Sequence, residues 1–202
     1  SLVFATTNLG TEGVGDMLQA HARNRMVVVS MRKPTADEWI DDFAVAAGIM
    51  PEVIAWVRET PQVMHGFEDV EKPDDNPYIF HPKAQRTAFV TPRSLEKASD
   101  VLKKREFLDE DTVIHALKGT VGERAALDLR SFVQLADKLP AWKDVIGNPT
   151  KCPVPTNPAA VVMLVFTAVS RIERGTIDSW MDYLTRIPKE AQALFCSYAM
   201  KA

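Results

Sequence analysis

The sequence predicts a mainly α protein with a small α/β element at its N-terminal end. Three observations predict it. Apolar residues recur at the spacing of a helix face through most of the chain beyond residue 34. Helix starts are marked by a capping residue followed by proline, at Thr91-Pro92 and Asn157-Pro158. Only residues 2–6 and 26–31 have the apolar and β-branched runs of strands.

In chain order, Leu2-Val3-Phe4-Ala5-Thr6 reads as a buried strand, and Met26-Val27-Val28-Val29-Ser30-Met31 as a second. A buried strand needs neighbours on both sides, and the chain does not open on Met, so the natural protein is expected to continue upstream. Thr35-Ala36-Asp37-Glu38 has the form of a capping box, and Trp39, Ile40, Phe43, Ala44 and Ala47 give the helix after it one apolar face, ended by Gly48. A short helix follows from Pro51 to about Glu59. Residues 66–90 lack a period and contain Pro73, Pro77 and Pro82 beside the acidic stretch 68–75, so they read as a long loop, functional or mobile. After Thr91-Pro92, the residues Leu95, Ala98, Val101 and Leu102 form a core face. Further helices are expected over 109–118 and 121–139, the second carrying Ala125, Leu129, Phe132, Val133 and Ala136. A proline-rich connector spans 140–155. The helix from Ala159 to Arg171 is apolar on nearly all sides and should be central. Two amphipathic helices finish the chain, one with Ile177, Trp180, Met181 and Leu184, the other with Ala191, Leu194, Phe195 and Tyr198.

The 202 residues are 46% hydrophobic and 25% charged, ordinary for a globular protein able to fold without metals or disulfides. Net charge is -3 and the pI about 5.8, which argues against a protein that grips nucleic acid through its own surface. Cys152 and Cys196 lie far apart and outside any metal-type pair, so two free thiols and a cytoplasmic location are expected. The longest apolar run, 159–169, is well short of the roughly 20 residues a membrane span requires.

Few residues carry candidate chemistry. Gly10, Gly13 and Gly15 follow the first strand, but Gly15 is succeeded by Asp16, not by the Lys and hydroxyl residue of a phosphate loop. A hydrophobic strand ending in paired acids for magnesium is missing too, so these residues alone are not expected to hydrolyse a nucleotide. Asn8 stands where the first strand stops, a place where open α/β sheets bind ligands; it either holds an attacking water or serves as a turn residue. Arg23 and Arg25 precede the second strand and either reach a phosphate on a neighbouring subunit or form a solvated basic turn. Arg93 falls in the first turn of its helix, where a cation is mildly disfavoured unless an anion sits opposite; the alternative is an ordinary surface arginine. His21, His65, His81 and His115 have no metal-ligand spacing, and Trp39, Trp56, Trp142 and Trp180 fall mostly on apolar helix faces.

Taken in order, these sites resemble the second half of an AAA+ ATPase of the MoxR-like branch, also labelled dynein-related. Phe4-Ala5-Thr6-Thr7-Asn8 resembles its sensor 1 strand. Ala22-Arg23-Asn24-Arg25-Met26 is similar to the region of its arginine finger, with Asn24 where the family has Asp and Met26 where it has Phe. Position favours Arg25 as the finger, with Arg23 the alternative. Thr91-Pro92-Arg93-Ser94-Leu95-Glu96 resembles the sensor 2 motif. Gly119-Thr120-Val121-Gly122-Glu123-Arg124-Ala125-Ala126, Lys138-Leu139-Pro140 and the stretch 183–190 are similar to segments of bacterial and phage members.

The resemblance implies a ring, usually of six subunits, with ATP and Mg2+ bound between neighbours in the full-length protein and not tightly by these residues alone. It further implies that Asn8 orients the attacking water, that the finger acts in trans, and that Arg93 reports the γ-phosphate to a helical lid. Members of the branch remodel partner proteins, often ones with von Willebrand A domains. On this reading residues 1–33 are the remnant of the α/β nucleotide-binding core, 34–138 the helical lid and 139–202 a helical extension packed on it. The rival reading is a helical protein-interaction module without a nucleotide role, suggested by the acidic long loop and the surplus of helices.

Overall fold

The computed structural model describes residues 25–27, 29 and 31–200. The chain divides into two compact units, Ser1–Lys33 and Pro34–Ala202. The second contains nine α-helices among the described residues, and the mainly α expectation holds.

The first helix, α1 (Ala36–Trp39), starts as its capping box demands: the Glu38 amide donates to Thr35 Oγ1 at 3.2 Å, and the Thr35 amide donates to Glu38 Oε2 at 2.9 Å. It does not continue as one regular helix to Ala47. It widens into a π-helical turn, Ile40–Ala44, which buries both Ile40 and Ala44 completely. Gly48, at φ 62°, then supplies the left-handed residue that ends it.

Helix α2 (Pro51–Glu59) is the centre of the core. Val53, Ile54, Ala55, Trp56 and Val57 are all buried, because α2 is covered by α5 (Glu123–Ala136) on one side and α7 (Pro158–Arg171) on another. Helix α7 is the central apolar helix that the sequence predicts, with Met163, Val165 and Ala168 fully buried; Asn157 caps it through Oδ1, which accepts from the Ala160 amide at 3.2 Å. Helix α3 (Pro92–Lys103) packs on α4 (Glu110–Val121), and α4 packs on α5. These two meet at Gly122, so the helix expected over 121–139 instead begins at Glu123.

The connector of 140–155 contains a short helix, α6 (Trp142–Gly147), which the prolines around it conceal in the sequence. It forms because Trp142 finds a partner: its ring lies 5.7 Å from that of Trp180 on α8 (Ile177–Leu184). Trp180 also packs on Phe195 of α9 (Lys189–Ala199), with ring centroids 5.4 Å apart. The Tyr183 hydroxyl donates to Pro153 O at 2.7 Å, and Arg186 donates to the carbonyls of Pro149 and Cys152, so α8 and the turn after it hold the connector down. Cys152 is buried, Cys196 is exposed, and both are free thiols. No helix among the described residues is long and apolar enough to cross a membrane.

Two expectations meet the structure only in part. The second strand is not shown: among the described residues of that run, 26, 27, 29 and 31 are outside strand pairing, and Val27 and Met31 are 92% and 87% exposed. An extended run becomes a strand only when its backbone finds a neighbour to pair with. The strand expected over 2–6 lies outside the described residues. The long stretch 66–90, in turn, is firmly anchored. Two 3-10 turns, Phe67–Asp69 and Pro73–Asp75, shorten it. Arg86 donates to the carbonyls of Pro73, Asn76 and Ile79, and Asn76 donates to Gln62 O at 2.7 Å. Phe80 packs against Phe67 and Phe89 with centroids 6.1 and 5.3 Å apart. Buried Ile79 and His81 tie the segment into the fold.

Candidate functional site

The best-built candidate is the start of α3. Thr91 is the N-cap: its amide donates to Ser94 Oγ at 2.8 Å, and its Oγ1 accepts from the Ser94 amide at 3.0 Å. Pro92 occupies the first helical position with no N–H to satisfy. That leaves the Arg93 amide without a partner among the described residues. The exposed Arg93 guanidinium likewise makes no hydrogen bond or ion pair among them. Lys97, one turn on, is exposed on the same face.

A free amide, the positive end of a helix of 12 residues and an uncompensated guanidinium therefore coincide. Placed there without a counter-charge, the cation opposes the helix dipole by a few tenths of a kcal/mol to about 1 kcal/mol. A phosphate oxygen opposite would reverse the sign and would accept from both amide and guanidinium. The chemistry on offer is anion binding and charge compensation; general acid or base groups are not part of it.

The turn is held from behind. The Val90 amide donates to Tyr78 O at 2.7 Å. The Tyr78 hydroxyl in turn donates to Asp128 Oδ2 on α5 at 2.7 Å. Burial raises the Tyr78 pKa above its ordinary value of 10.0, and the Asp128 carboxylate raises it further, so the hydroxyl keeps its proton as donor. Arg124 Nε lies 3.6 Å from the same Asp128 oxygen, one turn before it on α5. Gly122, at φ 90°, presses against the backbone of Ala88 and Phe89 just upstream of the cap.

Of the residues that the sequence singles out, Arg93 is at a capped helix start and exposed. Arg25 is exposed in a turn and belongs to the unit Ser1–Lys33. Asn8 and Arg23 lie outside the described residues. Tyr78 and Asp128 escaped the sequence reading, because nothing local couples a tyrosine in a loop to an aspartate 50 residues on. Gly122 did leave a signal: a glycine between two helical patterns marks a break.

Among the described residues, His, Cys, Asp and Glu form no group of three or more arranged to hold a metal ion. Comparison with protein-family models, with curated proteins and with solved structures finds no match for this chain.

Proposed function

We propose that the chain is the C-terminal portion of a MoxR-like AAA+ ATPase, in which Asn8, Arg25 or Arg23, and Arg93 contribute sensor 1, the arginine finger and sensor 2. The phosphate loop and the magnesium-binding acids would be carried upstream of residue 1. The single observation that carries the reading is Arg93: an exposed guanidinium and a backbone amide, neither with a partner among the described residues, at a capped helix start. The order of the polar sites along the chain supports the same reading.

In the full-length protein, ATP with Mg2+ would lie between subunits of a ring, six by the resemblance. The finger would enter from the neighbour and stabilise the charge that develops on the transferred phosphoryl group. Hydrolysis would drive remodelling of a partner protein, one with a von Willebrand A domain being the first to try. The testing experiment is steady-state hydrolysis of ATP with Mg2+ by full-length protein. Arg25→Ala should lower kcat by about a thousandfold, the scale of a lost finger, with Arg23→Ala much milder. Absence of any Mg2+-dependent hydrolysis in the unmodified full-length protein would sink the reading.

One observation favours the rival reading, a helical protein-interaction module. Phe107 is 74% exposed, and Leu108 beside it is also exposed, more apolar surface than a turn needs. Capture of a partner by this chain with unchanged affinity in the presence and absence of ATP, and lost in Phe107→Ser, would favour that reading over the first.

A further inference from the structure

Gly122 is the hinge between α4 and α5: its amide closes α4 by donating to Lys118 O at 3.1 Å, and its carbonyl opens α5 by accepting from the Ala126 amide at 3.0 Å. Its φ of 90° is one that L side chains rarely adopt. Space is denied as well. A Cβ built there would stand 2.7 Å from Ala88 O and 3.3 Å from Ala88 C, both backbone atoms that cannot swing away.

What Gly122 touches is the run into the Arg93 helix. Phe89 O accepts from Ser94 Oγ at 3.1 Å, and Ser94 Oγ is the group that accepts from the Thr91 amide in the cap. The next residue, Val90, is buried and donates to Tyr78 O, and the Tyr78 hydroxyl returns to α5 through Asp128. Residues 88–90 are thus gripped twice by the first two turns of α5, once by backbone contact at Gly122 and once through Tyr78 and Asp128. The backbone that leads into the Thr91 cap, and so into Arg93, is tied to α5 through these two contacts.

We infer that Gly122 and the Tyr78–Asp128 pair are positioning residues for Arg93, fixing where its guanidinium meets the outer phosphate of a bound nucleoside triphosphate. This rests on the nucleotide reading of Arg93 given above. The geometry makes Gly122 a requirement of contact and Tyr78 a requirement of hydrogen bonding, so the two can be altered independently.

The test uses full-length protein and measures the affinities of ATP and ADP separately, because a group that reads the outer phosphate changes their ratio. Arg93→Ala calibrates the assay. Tyr78→Phe, which removes one hydroxyl and keeps the ring, should lower the preference for ATP over ADP by about threefold or more. Gly122→Ala should lower it further, and neither should add to the loss in an Arg93→Ala background. Thermal unfolding of Tyr78→Phe guards against simple loss of the fold, and Tyr78→Phe decides the matter if Gly122→Ala does not fold. The inference is overturned if Arg93→Ala lowers the ratio while Tyr78→Phe leaves it at the wild-type value. It is equally overturned if Tyr78→Phe weakens ATP and ADP alike, or adds fully to Arg93→Ala. If Arg93→Ala itself leaves the ratio unchanged, the nucleotide reading of Arg93 fails first, and the inference falls with it.

Discussion

Glu52 is a carboxylate buried in the first turn of α2, and the balance of its surroundings sets the sign of its contribution. Burial raises its pKa from 4.5, and this outweighs the opposing Arg105 guanidinium, whose Nη1 lies 3.8 Å from Oε1. Arg105 is shared, since its Nη2 donates to Asp137 Oδ1 at 2.7 Å, and Glu52 Oε2 has no hydrogen-bond partner among the described residues. A carboxyl whose folded pKa is raised contributes stability below its ordinary pKa and loses it as pH rises through the folded value. Stability should therefore fall from pH 4.5 upward on account of this group. Glu52→Gln should stabilise the protein near neutral pH by about 1 kcal/mol and flatten that slope. Denaturant midpoints across this range would show it; a variant less stable than the wild type at every pH would mean that the Arg105 pairing outweighs burial. At this scale the sequence was legible wherever the chemistry is local. Thr35, Thr91 and Asn157 cap helices a few residues away, and each could be read off directly. Glu52, Tyr78 and Asp128 take their roles from residues far along the chain, which composition and spacing do not report.

At the scale of elements, the segment 66–90 matters most, because Arg86 does the work that a helix or sheet would otherwise do. Its guanidinium collects the carbonyls of Pro73, Asn76 and Ile79, groups that a proline-interrupted backbone leaves without internal partners. Arg86→Ala should cost about 2 kcal/mol or more, and Arg86→Lys should recover less than half, since an ammonium lacks the planar fork. Equal stability of Arg86→Lys and wild type in urea would contradict this account of the loop. The absence of a period in 66–90 was visible in the sequence; the anchoring was not, because one side chain supplies it across three separate carbonyls. The hidden helix α6 has the same origin. Its register is set by Trp142 meeting Trp180, a contact between elements and not a local propensity.

For the Pro34–Ala202 unit taken whole, the core runs through α2, α5 and α7 and is closed by an aromatic group around Trp180. The apolar circumference of α7 made its central place legible, whereas the strand expected over 26–31 depended on pairing that a strand cannot supply for itself. All three tyrosines of the chain lie in this unit, and each resists ionisation. Burial is the main cause for each, and it takes Tyr183 to about 12; Tyr198 is raised further by donating to Asp41. Because their folded values lie above the ordinary 10.0, they contribute stability below that pH and lose it as pH rises through those values, about 12 in the case of Tyr183. Phenolate absorbance should therefore stay low at pH 10.0 and appear together with alkaline unfolding. Half-ionisation at that pH with the fold intact would contradict the burial described for them.

The proposed role of Arg93 is tested most directly by one titration: the affinity of the full-length protein for ATP with Mg2+, measured for wild type and Arg93→Ala. A guanidinium contributing charge-assisted hydrogen bonds to phosphate predicts about a tenfold or greater weakening. Unchanged affinity in a normally folded variant would contradict it.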